Sequence, residues 1–159
     1  MEIVATLLTD LVLDSRRFHG LLLDLSHSSL AGAIQQSGLE AIHAFGEADR
    51  DLDVRDIRVR CRPANTAPRA ALHELANVGF EPSHSLEFQT QGDRESREDA
   101  WALVGLYAAE LKGWIITSYM DFAEASQRLG SEEGLLHAPV GGRHKGVLIA
   151  ASTLKWLTP

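Results

Sequence analysis

The stretch "DIRVRCR", residues 56–62, alternates without a break: Ile57, Val59 and Cys61 fall on one side, Arg58, Arg60 and Arg62 on the other. A side-chain period of two is the signature of a β-strand. This strand therefore has an apolar face to bury and a cationic face to display. The next twenty residues, "PANTAPRAALHELANVGFEP", read as a loop and then a helix capped by Thr66, with Pro68 in its first turn and a stop at Gly79. Leu72, Leu75 and Ala76 form the buried stripe of that helix.

Around this anchor the chain offers further strands at 2–8, 20–25 and 85–91, and a helix after the serines of "SHSSL". "SREDAWALVGLYAAELKG" (96–113) predicts the best helix, with Ser96 and Asp99 as a capping box. Its stripe is Trp101, Val104, Tyr107, Ala108 and Leu111. "WIITSY" (114–119) reads as a buried strand and "DFAEASQRLG" (121–130) as a short helix stopped by glycine. "GLLHAPV" and "KGVLIA" pair around "GGRH", and "ASTLKWL" closes as a helical turn or two. Strands and helices mix without a regular β–α–β beat. The expectation is one compact α+β domain over residues 1–159, a mixed or antiparallel sheet packed against helices.

Charge and composition narrow the partners. The longest apolar runs, such as "LLL" at 21–23, are far from the roughly 20 residues that span a bilayer. The acidic start lacks the basic region of a signal peptide. One cysteine, Cys61, allows no internal disulfide and favours a reducing compartment, the cytoplasm. A net charge of −7 argues against nucleic acid as a partner and suits a basic protein. The charge is evenly spread: 11 acids and 8 bases in residues 1–79, 11 and 7 in residues 80–159.

No catalytic set emerges from the motifs. Asp49, Asp51 and Asp53 occupy calcium-loop positions 1, 3 and 5, but Val54 replaces the turn glycine and Arg60 the bidentate glutamate. The segment reads instead as an acidic, solvated loop, with Glu47 beside it, that offers a contact surface to a basic partner. Seven histidines lack metal-ligand spacing and a second cysteine, so no metal and no cofactor are expected. Cys61 lies mid-strand on the apolar side, where a buried thiol is inert. "GGRHKG" (141–146) lacks the order of a phosphate loop and reads as a hairpin connection. The row Arg58, Arg60, Arg62 suits either an anion clamp or the solvated face of an edge strand.

These segments carry two resemblances. "RCRPANTAPRAALHELANVGFEP", with Asn65 and the Gly79–Phe80 pair, resembles the last strand–helix–strand of the acetyltransferases. That family's Q/R-x-x-G-x-G/A pyrophosphate loop has its nearest match at Arg17–Leu22, where leucine fills a position that must be small. A degenerate acetyltransferase-like enzyme with a site not visible in sequence is the alternative this leaves. A second resemblance covers roughly residues 70–159. "LANVGFEPSHSLEFQ", "EDAWALVGLYAAELKGWIITS" and a terminal helix bearing Leu154, Trp156, Leu157 and Pro159 are similar in order to small bacterial immunity proteins of polymorphic-toxin and contact-dependent competition systems. It implies a cytoplasmic, non-enzymatic antitoxin that covers a cognate toxin. Charge and loop position then single out Glu47, Asp49, Asp51 and Asp53 as the first contact residues to expect, and Tyr119 and Asp121 after the buried strand as the second.

Overall fold

The structure, a computed structural model, describes residues 2–10, 50–54, 57–111, 113–117, 119–140 and 144–156. The strand expected at 20–25, the helix after it, Glu47 and Asp49 lie outside the described residues. The strands are β1 (Glu2–Thr9), β2 (Arg50–Val54), β3 (Ile57–Pro63), β4 (His84–Thr90), β5 (Trp114–Thr117), β6 (Leu135–Val140) and β7 (His144–Ala150). The helices are α1 (Arg69–Asn77), α2 (Arg94–Leu111) and α3 (Phe122–Leu129), with 3-10 turns at Ala64–Thr66 and Ala151–Trp156. The seven strands among the described residues join one sheet in the order β2-β3-β4-β1-β5-β7-β6. Every neighbouring pair is antiparallel, so the fold is α+β with the sheet antiparallel throughout.

Helices sit on both sides. Leu7, Val59, Cys61, Phe88, Ile115 and Ile149 pack with Ala100, Trp101, Val104 and Tyr107 of α2 and Ala125 of α3. On the opposite face Leu8, Ile116, Ala138 and Leu148 pack with Ala71 and Leu75 of α1. Central β1 is covered on both faces, which is why Leu7 and Leu8, successive residues, are both fully buried. The turn from α2 into β5 runs against β1 through Gly113 at φ 113, where an added Cβ would lie 2.1 Å from the Leu8 carbonyl oxygen.

Five local expectations are corrected. β3 is not an edge strand: β2 and β4 flank it. Asp51 and Asp53 are not in a loop but in β2, paired with β3. Thr66 does not cap α1; its hydroxyl donates to the Pro63 carbonyl at 2.7 Å, and Pro68 holds the cap position. In α1 the buried pair is Ala71 and Leu75, while Ala76 is exposed, because the helix meets the sheet one residue earlier around its circumference. α2 likewise begins before Ser96. Asp93 caps it, accepting from the Ser96 amide at 2.8 Å and the Ser96 hydroxyl at 2.7 Å. Those bonds hold the Asp93 carboxyl below its ordinary range, the amide contributing most.

Candidate functional site

α1 crosses the sheet over β1, β5, β6 and β7. Farther along the same face, β3 and β4 present charge. Antiparallel register sets Arg60 opposite Glu87 and Arg62 opposite Ser85 on the β4 side, and Arg58 opposite Gln89. On the β2 side Asp51 stands opposite Arg60 and Asp53 opposite Arg58. Opposed residues of a ladder share a face at Cβ separations of about 4.5–5.5 Å. The result is a fixed mosaic in which Arg60 lies between two acidic positions and Arg62 faces a hydroxyl. Gln89 Nε2 donates to Glu87 Oε1 and fixes that carboxylate on the strand. Arg62 Nη1 donates to the Cys61 carbonyl at 2.8 Å.

Where the chain leaves β3 and turns into α1 it raises a wall over this face. The cleft so formed, about 260 Å³, is lined by Thr6, Arg60, Arg62, Thr66, Ala67, Pro68, Ser85 and Glu87. The arginine row was visible in the sequence; Thr6, Ser85 and Glu87 were not. Only the pairing of β1 with β4 and of β4 with β3 carries them to it.

Tyr119 and Asp121 lie elsewhere, on the side covered by α2 and α3. The Tyr119 hydroxyl donates to Glu2 Oε1 at 2.7 Å, and Arg97 Nη2 donates to Glu2 Oε2 at 3.0 Å. The Arg97 guanidinium also sits 5.7 Å from the Tyr119 ring centroid, and Trp101 packs on that ring at 6.5 Å. A β-bulge between Ile3 and Ala5 makes this clasp possible, because it places Glu2 opposite Thr90, on the face that carries Phe88. Without the extra residue, Glu2 would point to the α1 side. The Thr117 hydroxyl, 3.2 Å from the Val4 carbonyl, donates to the bulge. The Tyr119 hydroxyl and then Arg97 hold the Glu2 carboxyl below its ordinary range. Burial, and after it the bond to Glu2, push the Tyr119 hydroxyl up to about 12. Asp121 caps α3, accepting from the Glu124 amide at 2.8 Å. The structure thus brings Asp51 and Asp53 together on one strand and separates them from Tyr119 and Asp121.

Other candidates have structural explanations. Cys61 is buried beside Tyr107, whose hydroxyl is held well above its ordinary range by burial and next by that thiol. His137 stacks on Phe122 with ring centroids 3.9 Å apart, and His84 Nδ1 lies 2.9 Å from the Ser83 hydroxyl. Among the described residues no group of three or more His, Cys, Asp or Glu could hold a metal ion. Among them, too, no helix is long and apolar enough to cross a membrane. No family model, curated protein or solved structure matches the chain.

Proposed function

We propose that this chain is an immunity-type binding protein that neutralises a cognate toxin of bacterial competition by protein–protein contact in the cytoplasm, without catalysis. The observation that carries the reading is the charged sheet face, where Asp51, Asp53 and Glu87 alternate with Arg58 and Arg60 across three hydrogen-bonded strands. Charges laid out in a plane match another surface, whereas acid–base chemistry needs groups converging on a point. Because the ladder holds their backbones, little ordering entropy is lost when a partner docks. The net charge of −7 adds long-range attraction for a basic toxin. Specificity comes from the sign pattern, since like charges brought together across the contact are costly.

The test is co-expression with the toxin-domain product of the neighbouring gene. The chain should co-purify with it and restore growth. The double reversal Arg58→Glu with Asp53→Arg should lose protection while keeping the thermal midpoint. Equal killing with and without the chain ends this reading.

A further inference from the structure

We propose that Ile3, presented on the charged sheet face by the β-bulge of β1, is the apolar anchor of the toxin contact, an inference that rests on the immunity reading. Ile3, 47% exposed, and Val78 at the end of α1 are the large apolar side chains left in solvent among the described residues. Register sets Ile3 opposite Gln89, Gln89 opposite Arg58 and Arg58 opposite Asp53. The four positions form one row across β1, β4, β3 and β2. An apolar side chain beside polar positions is the pattern of an interface anchor whose surround excludes water.

A lone exposed isoleucine is ordinary on a protein surface, but the bulge sets this one apart. Thr6 lies on the charged face, opposite Glu87. Counted back from Thr6 at strict alternation, Val4 and Glu2 would share that face and Ile3 would be covered. The bulge reverses all three: Val4 is buried, Glu2 turns to Arg97 and Tyr119, and Ile3 comes out. Burial alone favours the opposite, because isoleucine is the larger apolar side chain and a carboxylate is better left in water. Hydrogen bonds hold the reversed arrangement on both sides of Ile3, at the Glu2 carboxylate and at the Val4 carbonyl, which accepts from Thr117. Ile3 is thus offered from a fixed backbone, which lowers the ordering cost of docking. A local pattern broken and then bonded in place is where function is expected. One side chain is too little for a membrane surface or for the apolar core of an obligate dimer. It suits a partner protein with a polar rim, here the basic toxin that a net charge of −7 attracts.

The test uses the full chain, methyl-labelled at isoleucine, and the toxin-domain product of the neighbouring gene. In the complex the Ile3 methyl resonance should shift and lose its accessibility to a soluble paramagnetic probe. Ile3→Ser should weaken binding roughly thirtyfold and Ile3→Val about fourfold, following the apolar surface each removes, with thermal midpoints near that of the parent. The proposal fails if folded Ile3→Ser binds like the parent, or if the Ile3 methyl stays accessible in the complex. Should Ile3→Ser not fold, the methyl decides alone. A chain that dimerises by itself with the Ile3 methyl protected makes the occupant a second copy and also overturns the proposal. A parent that binds the toxin without Ile3 removes the anchor and leaves the immunity reading intact, whereas a parent that binds no toxin ends both.

Discussion

On the side of β3 and β4 that faces α2, Val59 and Phe88 are fully buried, with the Phe88 ring edge-on to Tyr107 at 5.7 Å. One residue along the same strands, Arg60 and Glu87 line an open cleft. The two faces share a backbone and differ in what fixes them. Under α2, volume decides, because apolar side chains fill a space that must close. On the arginine face, where Arg58, Arg60, Arg62 and Glu87 are half-buried, the ladder register sets which charges stand opposite one another. A slip of one residue would drive Arg58, Arg60 and Arg62 under α2, so packing on the first face enforces the register that orders charges on the second. Side chains of the charged face can therefore change with less effect on the fold than those packed under α2.

The largest test of this division is Phe88→Ala, which should cost about 3–5 kcal/mol in urea unfolding, while Arg58→Ala should stay within about 1 kcal/mol. Equal losses would break the contrast. Next comes Gly113→Ala. At φ 113 and 2.1 Å from the Leu8 carbonyl oxygen, the new Cβ forces β1 and the α2–β5 turn apart. A loss of about 3 kcal/mol is expected, read as a lower thermal midpoint.

Smaller is Tyr119→Phe, which removes one bond of the clasp on the covered side and should cost about 0.5–1 kcal/mol at neutral pH. Its pH dependence has two signs. The lowered Glu2 carboxyl contributes stability above its ordinary pKa, and this is lost as pH falls through the folded value. The Tyr119 hydroxyl, raised to about 12, contributes below its ordinary value near 10, and this is lost as pH rises toward 12. The gap in thermal midpoint between parent and variant should thus narrow at both ends of the scale. A gap constant with pH would remove the clasp from the account.

Smallest is Thr90→Val. Thr90 is fully buried under α2, and its Oγ1 has no hydrogen-bond partner. Exchanging that hydroxyl for a methyl of the same shape should stabilise by up to about 1 kcal/mol. A comparable loss would show that polarity, too, has a role on the covered side.

Legibility depended on the range of the signal. β3 could be read because its alternation lies within seven residues. β2 misled for a specific reason: acids spaced by two satisfy both a calcium loop and one face of a strand. The interleaved Leu52 and Val54, in register with Val59 and Ile57, were the evidence for the strand. The starts of α1 and α2 were misplaced by two or three residues, while α3 began where expected, after Asp121; several nearby side chains can cap a helix and packing selects among them. Of the charged face, the arginines were legible and their partners were not.

The sequence by itself determined the alternation of β3, the long helix that became α2 and the glycine stops, because each is set by contacts between residues two to four apart. Only the tertiary structure decided that β1 would lie between β4 and β5, that a bulge would turn Glu2 toward Arg97 and Tyr119, and that Thr6, Arg62 and Ser85 would share a cleft. Strand order is chosen by which apolar faces close best against the helices, and that competition runs over the whole chain at once.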